Sequence, residues 1–222
     1  SKFEPIWGDL MIRGIRSFVK NLVSIRGLKK TAEKLNINKK TLNNYYSKRD
    51  SIPFNILQNL LKIHNLNNDD IPNCLLGFKR DHTNIKRFIP VNKYLMKLCG
   101  YYIAEGFYRK GQDTYQVDLA VSEDDLRSDM MKSIKNSFGE GFSPYVNENR
   151  ITISNRILYY FFKDILKFGK TARKKHIPSF FFNLPKEKIK FLIAAYFSGD
   201  GSLDITHKTV VCSSFSLRLI QD

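Results

Sequence analysis

Two short apolar runs constrain this chain more than any other feature, because each ends in an acidic residue followed by glycine. Residues 98–106 read LCGYYIAEG and residues 193–201 read IAAYFSGDG. Each run is typical of the last turns of a helix, and Gly106 and Gly201 are predicted to take the left-handed position just past the helix end. Small residues four positions apart lie on one helix face in each run: Gly100, Ala104, Ala195 and Gly199.

Helices with such faces can approach closely, which would bring the terminal acids Glu105 and Asp200 together. A carboxylate at a helix C-terminus opposes the helix dipole, and two adjacent carboxylates repel each other. A bound cation would relieve both costs, and oxygen ligands suit Mg²⁺. We therefore predict a Mg²⁺ site formed by these acids with Gly106 and Gly201. A metal-bound water attacking a phosphodiester is the chemistry that fits it.

An ordinary structural interpretation applies to each run taken alone. Acid-glycine pairs favour turns, so one such run is more often a core helix followed by a turn than a site. Two copies with the same small-residue pattern favour the site.

The two runs resemble the paired LAGLIDADG motifs of homing endonucleases, in the DOD-type form found in inteins. The resemblance covers residues 91–222 and implies a site-specific DNA endonuclease, a hydrolase that uses a divalent metal such as Mg²⁺. The family also has a Lys-x-Ile-Pro segment before its second motif, and residues 175–178 match it. The resemblance thus implies catalytic roles for Glu105, Asp200 and Lys175. Without it, Lys175 would be interpreted as part of a basic surface loop.

The charge balance indicates a polyanionic partner. Lys and Arg number 37 against 21 Asp and Glu, a net charge of +16, which favours nucleic acid first and an anionic membrane second. No run is apolar for long enough to span a bilayer, and no signal peptide opens the chain. Three scattered cysteines fit a reducing compartment. We expect double-stranded DNA as the partner, no membrane association, and a cytoplasmic, prokaryotic-type location.

Residues 1–66 are predicted to form an all-α helix-turn-helix domain, followed by a linker over residues 67–92. Residues 29–46 resemble a helix-turn-helix, with Ala32 at the crossing and Asn36 at a turn that wants positive φ. An ordinary helical bundle with a solvated basic face is the alternative. Polar side chains of the second helix suit phosphates and base edges: Asn38, Lys39, Lys40, Asn43 and Asn44.

Residues 93–184 are predicted to form one LAGLIDADG repeat in the order α-β-β-α-β-β-α, which makes the chain α+β overall. Alternation along the strands leaves one long polar sheet face, and a two-stranded ribbon fits the major groove. Simple solvation of the strands is the alternative. The predicted DNA-contacting residues of this face are Arg109, Gln112, Thr114, Gln116, Asn147, Arg150 and Thr152.

Residues 185–222 are predicted to begin a second repeat and leave it incomplete. Glu105 and Asp200 are 95 residues apart, so a full second repeat would need more chain than is present. We expect a monomer for a full-length enzyme, with dimerisation of the shortened form left open. A non-catalytic DNA-binding regulator built from the same parts is the main alternative, and an RNA maturase is a third.

Overall fold

The computed structural model describes residues 9–79 and 83–221 and has α+β architecture with antiparallel sheets. Internal contacts divide the chain after Phe88 into two units, a boundary inside the segment predicted as linker. The outer ends of the predicted domains, residues 1–8 and 222, lie outside the described residues, as do residues 80–82 of the linker.

The first unit combines four helices with a small sheet. The helices are α1 (Arg16–Arg26), α2 (Leu28–Lys34), α3 (Lys39–Ser47) and α4 (Phe54–Ile63). The strands are β1 (Leu10–Arg13), β2 (Ser51–Pro53), β3 (Leu75–Phe78) and β4 (Ile85–Lys86). They pair antiparallel in the order β2-β1-β3-β4, so that β1 is a central strand.

This sheet corrects two predictions. The first unit is not all-α as predicted, because Leu10, Met11 and Ile12 belong to a buried strand, β1. Three consecutive apolar residues fit a strand covered on both faces as well as a buried helix, so periodicity cannot separate the two. Residues 67–92 are not simply linker, since β3 and β4 complete the sheet through pairing with β1.

Helices α2 and α3 are joined by a short turn that follows the predicted geometry at two positions. Asn36 has a φ of 51°, the left-handed conformation expected there. Ala32 of α2 and Leu42 of α3 are both buried. The local turn is therefore as predicted, and a role for it in DNA binding is a separate proposal.

The second unit begins with the predicted order of elements. Its strands form one antiparallel sheet in the order β5-β6-β8-β7. The elements are α5 (Lys93–Glu105), β5 (Gly106–Lys110), β6 (Tyr115–Ala120), α6 (Asp124–Phe138), β7 (Tyr145–Asn147), β8 (Arg150–Ser154) and α7 (Arg156–Tyr160), which continues as a π-helical turn over Phe161–Leu166. The α-β-β-α-β-β-α order is confirmed.

One face of this sheet forms the core of the unit. Val117 and Leu119 of β6 and Ile151 of β8 are fully buried, as is Ile134 of α6. The period of two along each strand places these side chains on the same face. The opposite face therefore carries the alternate, mostly polar residues.

The chain then enters a second copy of the opening elements. These are α8 (Lys186–Asp200), β9 (Gly201–Asp204), β10 (Thr209–Cys212) and α9 (Leu217–Gln221). Strands β9 and β10 pair antiparallel as a separate hairpin. Like β5 after α5, β9 follows α8 without a connecting residue.

Helices α5 and α8 pack through the small residues singled out in the sequence. A Cβ placed on Gly100 would lie 2.9 Å from the Cβ of Ala195, and one placed on Gly199 would lie 2.6 Å from the Cβ of Ala104. Given the 95-residue spacing, each contact joins equivalent positions of the two runs. Contacts between equivalent positions are what an approximate two-fold axis produces.

The two glycines after these helices do not take the predicted left-handed conformation. Gly106 has φ −90° and Gly201 has φ −93°, both extended, because a strand starts at once. Glycine is needed for space instead. A Cβ on Gly106 would lie 2.6 Å from the Cα of Tyr102, and one on Gly201 would lie 3.0 Å from the Cδ1 of Phe197.

Adjacent alanines on α8 provide a matched test of the helix packing. Ala195 is 2% exposed and lies in the interface, whereas Ala194 is exposed. We expect Ala195→Val to lower the free energy of unfolding by about 1–3 kcal/mol through overpacking. Ala194→Val, the same change on the outer face, should change it by less than about 0.5 kcal/mol. Urea unfolding of both variants measures this, and equal losses would contradict the close packing.

Candidate active site

The two helix ends place Glu105 and Asp200 on the wall of one cavity. Each carboxylate is half-buried, and the cavity has a volume of about 440 Å³. Lys175 also lines it, from the loop that precedes α8. All three residues predicted to be catalytic therefore reach the same space, although they are far apart in the chain.

Burial and mutual repulsion act on the two acids in the same direction. Burial raises the pKa of the Glu105 carboxyl, and the Asp200 charge raises it further, while Lys175 opposes the shift. Burial also raises the pKa of Asp200, again against the effect of Lys175. Folding therefore holds two carboxylates where their ionised forms are disfavoured, as expected for a site that a cation would complete.

Lys175 is a buried cation and is not part of a solvated loop. Its side chain is 4% exposed, and Nζ donates to the main-chain carbonyls of Tyr102 and Gly106, the second at 2.5 Å. Nζ also lies 3.9 Å from the centroid of the Tyr102 ring. Burial lowers the pKa of Lys175 to about 7, although both acids favour its charged form. The basic-surface-loop interpretation is therefore wrong.

The loop that carries Lys175 is held by residues that sequence reasoning did not identify. The buried hydroxyl of Ser216 donates to the main-chain carbonyl of Lys175 at 2.5 Å. On the other side, the His176 amide donates to the carbonyl of Phe168. Gly169 has a φ of 91°. These contacts join segments that are distant in the chain, so local sequence patterns do not predict them. The one local signal is Ser216 itself, which directly precedes the last helix.

The acids fit a divalent cation by their chemistry, and one of the predicted main-chain ligands has a second contact. Two carboxylates from facing helix ends are the hard oxygen donors that Mg²⁺ takes, completed by water. The Gly106 carbonyl accepts from Lys175, so this predicted ligand also holds the lysine, and its binding of metal stays a prediction. The described residues contain no cluster of three or more His, Cys, Asp or Glu side chains arranged for a metal.

The polar face of the second unit's sheet carries the predicted DNA-contacting residues in two groups. Gln112, Thr114 and Asn147 are exposed at the ends of the strands, and Gln116 is half-buried, with its Nε2 donating to Ser154. The remaining three, Arg109, Arg150 and Thr152, are constrained by neighbours on the sheet.

A fully buried carboxylate organises Arg109 and Thr152. Asp118 is 0% exposed, and it accepts from Nε of Arg109 at 2.8 Å and from the Thr152 hydroxyl at 2.5 Å. Thr152 is itself buried, so the prediction that it contacts DNA is corrected to a role in holding Asp118. Arg150 instead lies over Phe107, with 5.4 Å between its Cζ and the ring centroid.

The predicted DNA-contacting residues of the first unit all lie on α3 or its cap. Lys39 and Lys40 are exposed, whereas Asn43 and Asn44 are half-buried. Asn38 is exposed, but its side-chain oxygen accepts from the Lys40 amide and caps the helix. The amide nitrogen of Asn43 donates to Ser47. Lys39 and Lys40 are therefore the residues of this set whose exposed side chains are best placed to contact a partner.

No helix within residues 9–79 and 83–221 combines the length and apolar character needed to cross a membrane.

Comparison with known proteins gives partial matches. No family model matches the chain. The chain is 40% identical over 177 residues to a DNA polymerase II large subunit of Thermococcus kodakarensis, a match that covers 80% of this chain and 10% of that protein. It is 28% identical over 161 residues to a DNA-directed RNA polymerase subunit of Methanocaldococcus jannaschii, covering 71% of this chain and 18% of the subunit. The chain thus spans less than a fifth of either relative.

One solved structure also matches in part. It is a crystal structure of an I-DmoI variant in complex with its target DNA, nicked in the coding strand and in the presence of Mn. The sequence identity is 16% and the TM-score 0.37, over 54% of this chain and 66% of that one. A superposition this weak does not establish a shared fold.

The strained acids give a stability prediction in metal-free buffer. The folded-state pKa of Glu105 is raised, so the ionised carboxylate present near neutral pH destabilises the folded protein. We expect Glu105→Gln to raise the free energy of unfolding at pH 7 in EDTA. The gain should shrink as pH falls towards about 4, where the unfolded carboxyl also binds its proton.

The matched control is Glu148→Gln, which removes the same charge from an exposed turn and should leave stability nearly unchanged. Urea unfolding across this pH range measures both variants. A loss of stability in Glu105→Gln at pH 7 would contradict the repulsion described here.

Proposed function

We propose that this chain is the catalytic and DNA-binding part of a LAGLIDADG-type endonuclease, which hydrolyses phosphodiester bonds in double-stranded DNA with a divalent metal. The observation that carries the proposal is the single cavity onto which Glu105, Asp200 and Lys175 converge. Two acids at facing helix ends can hold a divalent metal for phosphodiester hydrolysis, and a buried lysine beside them can stabilise charge on the phosphate.

Each residue has a physical role in this proposal. Glu105 and Asp200, with the main chain of Gly201, would hold Mg²⁺, which supplies an acidified water and a counter-charge for the phosphate. Lys175 contributes a cation at the same cavity, where it stabilises charge that develops on the phosphate. Because its pKa lies at about 7, Lys175 can also hold or release a proton at Nζ near neutral pH.

The kinds of protein that this chain resembles support the proposal that it is a module inserted into larger proteins. The two polymerase subunits bear different names and activities, yet each matches most of this chain over less than a fifth of its own length. A segment shared by otherwise different large proteins is expected of an element carried inside host genes. This supports the intein-borne endonuclease over a dedicated part of one polymerase.

Two surfaces are proposed to bind the duplex. In the first unit, α2 and α3 act as a helix-turn-helix whose exposed cations, Lys39 and Lys40, contact phosphates. In the second unit, the polar face of the β5-β6-β8-β7 sheet enters the major groove. The net charge of +16 suits both contacts.

Metal-dependent cleavage tests the catalytic proposal. We expect the chain to nick supercoiled plasmids that carry a library of random inserts when Mg²⁺ is present and not in EDTA. Glu105→Gln and Asp200→Asn should abolish nicking while leaving duplex affinity nearly intact, because each removes a metal ligand from the cavity. Glu148→Gln should cut normally.

A second readout follows metal binding without catalysis. Mg²⁺ should raise the thermal stability of the unaltered chain and of Glu148→Gln, and should do so less for Glu105→Gln. DNA binding without nicking or metal stabilisation would instead support the non-catalytic regulator. Selective binding of single-stranded or folded RNA would support the maturase.

The helix-turn-helix proposal makes a separate prediction about salt. Replacing Lys39 and Lys40 with Ala should weaken duplex binding and reduce the slope of log affinity against log salt by up to about 1.8, since each lost phosphate contact removes about 0.9. The matched control replaces Lys20 and Lys62, exposed cations of α1 and α4. Filter binding at several salt concentrations measures the slopes, and identical slopes for the two double variants would refute this contact.

A further inference from the structure

We propose that Arg109 reads a guanine in the major groove and that the buried Asp118 is the positioning residue that aims it. The inference rests on the proposed binding of duplex DNA and deepens it, because it assigns a base and a mechanism of specificity to one point on the sheet. It is carried by the geometry of three neighbouring strands.

The carboxylate of Asp118 grips one edge of the Arg109 guanidinium. Its Oδ2 accepts from Nε at 2.8 Å, and its Oδ1 accepts from Nη2 at 3.4 Å. The same Oδ1 accepts from the Thr152 hydroxyl across the β6–β8 pair, where Asp118 and Thr152 are directly opposed. A carboxylate that is 0% exposed and held from two strands has little freedom to turn.

The grip leaves the outer edge of the guanidinium available. Arg109 uses Nε and Nη2 for Asp118 and remains 46% exposed, and no hydrogen bond of Nη1 occurs within the described parts of the chain. One N–H of Nη1 and the second N–H of Nη2 point along the same free edge. That pair matches the O6 and N7 acceptors of guanine, which Arg reads in a bidentate way.

The charge balance favours a base over a phosphate as the target. Asp118 compensates the Arg109 charge at hydrogen-bonding distance, which reduces the long-range attraction that dominates phosphate binding. What remains is directional hydrogen bonding from a planar group with its orientation set in advance. Such a group discriminates among bases more than it adds general affinity.

Arg150 on the same face provides the contrast. It packs over the Phe107 ring, and within the described residues no carboxylate pairs with it. Its charge is therefore uncompensated, and we assign it to a phosphate. Two arginines on one sheet are thus separated by their neighbours into a base contact and a backbone contact.

The test is selection of bound duplexes from a random double-stranded DNA library, followed by sequencing and by affinity measurements at several salt concentrations. The unaltered chain should select a motif containing a guanine whose preference falls roughly 10-fold or more in Arg109→Ala, with little change in salt slope. Arg150→Ala should keep that preference and lower the salt slope by about 0.9.

Asp118→Asn separates positioning from simple structural support. We expect it to lose the guanine preference while affinity for random duplex stays level or rises, because a negative charge leaves the binding face. A role in folding alone would lower both together. Asp124→Asn, the same change at an exposed carboxylate on α6 that pairs with Arg127, should alter neither. Asp118→Asn should have no further effect on guanine preference when Arg109 is already Ala.

A variant that keeps the buried charge paired covers the case in which Asp118→Asn does not fold. Arg109→Lys retains a cation beside Asp118 but loses the planar fork, and it should bind random duplex normally without guanine preference. An unchanged motif in Arg109→Ala or Arg109→Lys, or a salt slope lowered by about 0.9 in Arg109→Ala, would overturn the base contact while leaving DNA binding in place. Failure of the unaltered chain to bind any duplex would instead overturn the proposed function.

Discussion

The structure of the second unit depends on how closely α5 and α8 approach each other. The contacts join equivalent small residues, Gly100 with Ala195 and Ala104 with Gly199, so neither helix can carry a larger side chain at these positions without moving its partner. Close approach brings the two C-termini together, and with them Glu105 and Asp200. The packing and the candidate site are therefore one arrangement, in which a change to the helix spacing also changes the separation of the acids.

Lys175 partly offsets the repulsion between the two acid-bearing helix ends. Its ammonium donates to the carbonyls of Tyr102 and Gly106, which belong to the last turn of α5 and the residue after it. A cation at this end of a helix interacts favourably with the dipole, and this one also faces both acids. Burial nevertheless keeps its pKa near neutrality, so the charge of the whole cavity is sensitive to small changes in its surroundings.

The polar face of the sheet in the second unit repeats the same principle of a buried charge held by nearby partners. A buried Asp118 is costly unless it is paired and hydrogen-bonded, and Arg109 with Thr152 supplies those partners. Removing one partner would leave the carboxylate uncompensated, which costs more than the pair contributes. The alternation of strand residues places Asp118 on the polar face of the sheet, but it does not show that the carboxylate is buried there.

The sequence by itself determined the features that depend on local order. The four-residue spacing of small residues, the acids at the helix ends, the α-β-β-α-β-β-α order and the positive φ of Asn36 all follow from periodicity and turn chemistry within short windows. Tertiary structure decided which strands pair across long intervals, so the sheet built on β1 was missed. It also decided which polar groups are buried, and thus that Lys175 is enclosed, that Thr152 holds Asp118 and that Gly106 binds the lysine. Burial and strand pairing depend on contacts between segments that are distant in the chain, and a local sequence pattern does not specify those contacts.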